Sequence, residues 1–134
     1  MAVFYAQDFK VTIGTVNLSS YVTAVTLEMN ADEVETTAFG SAARTRIGGL
    51  KDGSVKIDFN QDFAAGAVEA TLYPLLGTIA TVTMLPTSGS ATATNPQYAV
   101  PCLVTQNMPV NGQIGDLSTL SVTWPTSGTV VKTP

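Results

Sequence analysis

The stretch GSVKIDFNQDFAAGAVEATLYPLLG, residues 53–77, changes its hydrophobic period part way along, and that change limits the folds open to the chain. In its first half Val55, Ile57 and Phe59 alternate with Ser54, Lys56, Asp58 and Asn60. Successive side chains of a strand point to opposite faces, so this is the pattern of a half-buried strand. From Asp62 onward the apolar residues Ala65, Val68, Leu72 and Leu75 recur at helical spacing instead. Asp62 is placed to cap backbone N–H groups that a first helical turn leaves unpaired. Pro74 has no N–H to give and its ring crowds the preceding turn, so the helix weakens near Tyr73 and exits at Gly77. The expected core is one helix, about residues 62–76, packed on a sheet, with Phe59, Val68, Leu72 and Leu75 as anchors.

Everything else reads as β. The chain holds 20 Thr and 15 Val among 134 residues, and branching at Cβ favours a pleated surface over a helix. Phe9, Val11 and Ile13 share one face of residues 8–13, and Gly14 breaks that strand; residues 17–21 are turn-rich. Over residues 22–30, Val25, Leu27 and Met29 oppose Ala24, Thr26 and Glu28. After a corner at residues 30–32, Glu33, Glu35 and Thr37 alternate with Val34, Thr36 and Ala38. One apolar face and one acid-bearing polar face is the signature of an antiparallel sheet wetted on one side. A short strand follows at residues 79–85, then a small-residue polar run at 86–96 that reads as a mobile loop. Residues 97–108 are extended, but Pro101 cannot donate to a ladder and marks an edge or a bulge. The last strand, 117–124, sets Leu120, Val122 and Trp124 against Thr119, Ser121 and Thr123. Trp124, the lone Trp, reads as a core anchor rather than a ligand contact.

Three segments carry no usable period. Residues 1–7 hold Val3, Phe4 and Tyr5, an apolar arm that either packs on its own domain or contacts a neighbouring subunit. Residues 40–52, GSAARTRIGGLKD, exceed the usual hairpin connection of about 2–5 residues. They form either a solvated hairpin tip or an arm whose Arg44, Arg46, Lys51 and Asp52 pair with charges on another subunit. No GxxxxGK[ST] pattern is present to cradle a phosphate. Residues 126–134 form a polar tail with Val130 and Val131 as its docking point. Without an internal repeat, the expectation is one domain over residues 1–134, carrying arm 1–7, loop 40–52 and tail 126–134.

Charged residues are 12% of the chain, and four Lys and two Arg against ten acids leave a net charge of −4. Affinity for nucleic acid comes largely from clustered Lys and Arg, so ordinary DNA binding is not expected. Cys102 is the single cysteine, which excludes an intrachain disulfide; flanked on its strand face by Val100 and Val104, it reads as a small buried hydrophobe. With no His, no paired-carboxylate motif and no DxDxDG loop, we expect no enzyme, no metal, no cofactor and no small-molecule ligand. No leader segment and no apolar run near the roughly 20 residues of a membrane span is visible, so the expectation is a protein made inside the cell and not membrane-bound.

The order of parts carries a resemblance. A one-sided acidic hairpin, the loop TTAFGSAARTRIGGLKDG, the strand-into-helix segment VKIDFNQDFAAGAVEATLYPLLG and the closing LSVTWPTSG together resemble the tail tube (major tail) proteins of long-tailed bacteriophages, over about residues 9–128. The helix segment and the GLKDG turn carry most of the likeness. The resemblance implies a β-sandwich or barrel-like subunit with one flanking helix. It further implies hexameric rings stacked into a tube for DNA ejection, with strands of six subunits joined into an inner barrel. The long loop and both termini would bridge to adjacent rings. Implied partners are other copies of the chain and the tape-measure, terminator and distal tail proteins, with DNA passing through unbound. The implied location is the virion tail, after synthesis in the host bacterial cytoplasm. Lumens of this family tend to be acidic, which makes Glu28, Glu33, Glu35 and Asp58 lumen candidates. An acidic polar face repels phosphate, as a conduit requires. At this length a compact subunit is expected, without the added immunoglobulin-like domain that some relatives carry. Alternative readings are a tail terminator or connector, and a capsid decoration or host-adhesion β-sandwich module.

Overall fold

The computed structural model describes residue 3 and residues 5–134. Strands β1 (Lys10–Ile13), β2 (Val16–Asn17), β3 (Val22–Glu35) and β4 (Arg46–Asn60) come first, followed by helix α1 (Val68–Leu72). Strands β5 (Ile79–Leu85), β6 (Gln97–Leu103), β7 (Thr119–Pro125) and β8 (Val131–Thr133) complete the chain. They form two antiparallel sheets, ordered β2-β1-β5-β6-β8 and β3-β4-β7. The protein is thus a mainly β sandwich with one short helix.

The alternation read in the sequence is what closes the sandwich. Val55, Ile57 and Phe59 on β4 stand directly opposite Trp124, Val122 and Leu120 on β7, and all six are buried. Directly opposed residues share a face, so these make one wall of the core. Val11, Ile13, Val82, Val100 and Cys102 from the other sheet make the second wall, within one continuous cluster. Trp124 fills the centre, and its indole N–H donates to the Gln106 carbonyl at 2.9 Å. A buried Trp is stable there because its polar edge has a partner.

The helix is present but shorter than residues 62–76. It spans Val68–Leu72 and tightens into a 3-10 turn at Tyr73–Leu75 that contains Pro74. Gly66 at φ +75° sits in the left-handed region and stops helix from propagating upstream. Asp62 does not cap α1 by its side chain: its carboxylate accepts the Ala64 N–H at 2.8 Å, a local turn, while its carbonyl accepts the Glu69 N–H. Ala65 is consequently exposed, whereas Val68 and Leu72 are buried and Leu75 packs on the core edge.

Three further expectations change. The corner at residues 30–32 is an irregularity within one continuous strand: Ala31 pairs with Lys51 and Glu33 with Gly48, so β4 holds the extra residue. Residues 46–52 of the expected loop 40–52 are strand, paired with β3 at 46–48 and 51–52 on either side of that irregularity. The tail 126–134 is partly strand as well, since β8 pairs with Gln97–Ala99 of β6. Pro101 lies just past the end of β8, where its missing N–H costs no ladder bond, and its carbonyl accepts the Ser127 N–H at 2.7 Å. The run 86–96 is folded by Asn95, a buried side chain that accepts the Thr87 N–H and donates to the Ser90 carbonyl.

Candidate assembly surfaces

The outward face of the three-stranded sheet is set by the same pairing as its core face. Ala24, Thr26, Glu28 and Asn30 lie opposite Asp58, Lys56, Ser54 and Asp52, and β7 adds Thr119, Ser121 and Thr123. This is a small-residue, polar face with three acids and one lysine. Of the lumen candidates, Glu28 and Asp58 are here. The Glu28 carboxylate accepts from the Asn30 amide, and Asp58 Oδ1 is buried without a hydrogen-bond partner.

Glu33 and Glu35 stand elsewhere. They lie past the edge of the core on the two-stranded ribbon formed by the far halves of β3 and β4, where Arg46 pairs with Glu33 and Arg44 meets Glu35 at 3.4 Å. Two lumen candidates and two inter-subunit candidates therefore pair with each other inside one chain. All four are largely exposed, so these ion pairs add little stability. Lys51 and Asp52 are exposed strand residues opposite Ala31 and Asn30. The ribbon is exposed on both faces from residue 28 to residue 52, and it carries the outward apolar side chains Met29, Val34, Phe39, Ile47 and Leu50.

Val3 and Tyr5 of the N-terminal arm are exposed, at 84% and 82%; Phe4 lies outside the described residues. Phe59, Val68, Leu72 and Trp124 are fully buried. Cys102 is also fully buried, and burial pushes its thiol up to about 11, which makes it a poor nucleophile. Among the described residues, no group of three or more His, Cys, Asp or Glu could hold a metal ion.

Sheet edges complete the picture. Among the described residues β3 pairs only with β4, leaving a 14-residue strand with one edge open. Alongside that edge lies an apolar groove of about 420 Å³ walled by Val25, Leu27 and Met29 from β3 and by Met84 and Tyr98 from the other sheet. The opposite edge of the sheet is treated differently. The Gln106 side chain accepts the Thr123 N–H at 3.2 Å and the Asn111 amide donates to the Thr119 carbonyl at 2.9 Å, so the chain's own loop engages part of the β7 edge. The sequence reads residues 110–115 as a turn, and the structure turns at 114–115, but β6 ends at Leu103 rather than running extended to 108 and β7 begins at Thr119 rather than Leu117. The outward exposure of Val110, Ile114 and Leu117 was not legible, because an irregular segment shows no period that separates buried from exposed positions.

A two-sheet sandwich with one short helix, a long open edge at β3 and a projecting ribbon defines the class of fold. The chain is similar to a chain in the virion of a native gene transfer agent (GTA) particle, with a TM-score of 0.78 at 14% identity, over 98% of this chain and 100% of that one. It is also similar to a chain in the tail of an empty GTA particle, computed with helical refinement and C6 symmetry, at TM-score 0.63 and 14% identity, over 85% and 83% of the two chains. Neither a protein-family model nor a curated protein sequence matches the chain.

Proposed function

We propose that this chain is a structural subunit of a phage-like virion tail, which self-assembles into stacked six-fold rings whose bore conducts DNA. The observation that carries the reading is the fold likeness over nearly the whole chain to a virion chain, joined by a likeness to a chain of a C6 tail. Physical features support it. An open 14-residue edge and a ribbon with both faces in water are liabilities for a lone sandwich and assets for a subunit. Among the described residues sixteen large apolar side chains are exposed, in a chain with only 12% charge, a surface suited to burial against copies of itself. In this reading the polar face with Glu28, Asp52 and Asp58 lines the bore. Like charge keeps DNA from sticking there.

Negative-stain imaging and sedimentation of the purified protein test the proposal. Stacked rings or tubes are the expected result. Isolated rings would point to a terminator, and compact particles of one to three chains to a decoration or adhesion module. For the bore, Glu28→Lys with Asp52→Lys tubes should retain DNA in a salt-dependent manner, whereas the unaltered tubes should not. Equal retention by both sinks the lining assignment.

A further inference from the structure

The loop against β7 is tied down at Asn111, and the residue after Asn111 is Gly112. Of the six asparagines in the chain, Asn111 is the only one followed by glycine. A backbone nitrogen attacks the preceding asparagine side chain most readily when its own residue has no Cβ to crowd the approach and leaves the backbone free to bend. The surroundings keep that route open. Residues 111–113 lie in no helix or strand, and Asn111 and Gly112 are both exposed. Among the described residues no acceptor holds the Gly112 N–H. Elsewhere the equivalent nitrogen is engaged or has no proton to give. The N–H after Asn17 donates to the Val11 carbonyl, the one after Asn60 donates to the Ser118 carbonyl, and Asn95 is followed by Pro96.

Two hydrogen bonds decide what that attack does here. The Ser118 hydroxyl donates to the Asn111 carbonyl at 2.7 Å. This carbonyl takes up negative charge when the Gly112 nitrogen loses its proton, so the contact favours the attacking form. The Asn111 amide nitrogen donates to the Thr119 carbonyl at 2.9 Å, the bond that ties this part of the loop to β7. That same nitrogen is the atom the reaction expels.

We propose that Asn111 is a site of self-deamidation and that its conversion unties the loop from Thr119. The Gly112 nitrogen gives its proton to water and bonds to Asn111 Cγ; the Cγ–Nδ2 bond breaks, and the nitrogen takes up a proton and leaves as ammonia. Water then opens the resulting succinimide ring at either carbonyl, leaving aspartate or isoaspartate. One water is consumed, one ammonia is released, and nothing is oxidised or reduced. A carboxylate only accepts hydrogen bonds, so neither product can donate to the Thr119 carbonyl, and its charge repels that oxygen. Isoaspartate also lengthens the backbone path by one carbon. The change needs only water and this chain, so it does not depend on the tail reading.

Peptide mass spectrometry of the full chain, held in warm, mildly alkaline buffer made with heavy-oxygen water, tests the chemistry. Residue 111 should take up the label as aspartate and isoaspartate several-fold faster than any other asparagine. Gly112→Ala should fold, since the added Cβ meets only Ser118 Oγ at 4.0 Å, and should convert several-fold more slowly. Conversion no faster at residue 111 than at the other asparagines, or undiminished in Gly112→Ala, overturns the site. Asn111→Asp tests the consequence. Limited proteolysis with an enzyme that cuts after large apolar residues should cleave this variant between residues 104 and 118 several-fold faster than the unaltered chain, and the chain converted by ageing should match it. Cleavage at the unaltered rate in both would show that the Thr119 contact restrains nothing, and the untying is overturned.

Discussion

At Gly53 backbone and side chain compete for the same space. A Cβ built there would overlap the Glu28 carbonyl oxygen of β3, so β3 and β4 approach closely just where the ribbon leaves the core. Gly53→Ala should cost on the order of 2 kcal/mol, read as a lower urea midpoint at unchanged slope. An unchanged midpoint would show that the strands can separate freely at this point. Cys102 permits a second measurement. Its thiol is raised from 9.0 to about 11 by burial, so between those values the unfolded chain is ionised while the folded chain holds its proton. The sign follows from linkage: stability is full below about pH 9 and falls as pH rises toward 11. Compared at pH 8 and pH 10.5, the protein should lose stability relative to Cys102→Ala; parallel losses in both would remove the thiol as the cause.

Individual elements were legible in proportion to how one-sided their surroundings are. The inner faces of β4 and β7 could be read residue by residue because water lies on one side and core on the other, and the bounds of β5 came out for the same reason. The helix was overextended because Ala65, Val68, Leu72 and Leu75 keep a helical period across Gly66, whose left-handed backbone ends the helix all the same. Gly66→Ala should therefore destabilise by about 1–2 kcal/mol, not stabilise as an interior helical Gly→Ala does; thermal unfolding decides between the two signs. The first half of β4 was invisible since the ribbon has water on both faces, and Gly48 and Gly49 add no side chains to alternate. Its ion pairs were hidden too, because Glu33 and Glu35 were assigned by strand parity without knowing that the ribbon had left the sheet behind. In the unassembled protein, amides of residues 30–50 should exchange with deuterium far faster than those of residues 55–59, and assembly should erase the difference. Equal protection in the free chain would mean that the ribbon is stable without neighbours.

For the whole molecule, low charge and a one-signed excess set the conditions of assembly. With a net charge of −4 per chain, bringing copies together accumulates like charge, which salt screens over about 10 Å at 0.1 M. The contacts proposed here are mostly apolar and lose little to screening. Assembly should thus strengthen as salt rises from about 0.05 to 0.5 M, seen by light scattering. Weakening over that range would instead make the ion-paired residues the main glue.

The asymmetry of the sheet edges has a further consequence. A chain whose β3 edge is open and whose β7 edge is partly covered by its own loop presents unlike surfaces on its two flanks. Under the ring reading, an open arc of such chains would leave one β3 edge bare at one end, and a closed ring would leave none. Completion would then register in the subunits themselves, because an unfinished arc stays adhesive and a finished ring goes quiet at its sides, and no separate factor would have to count the members.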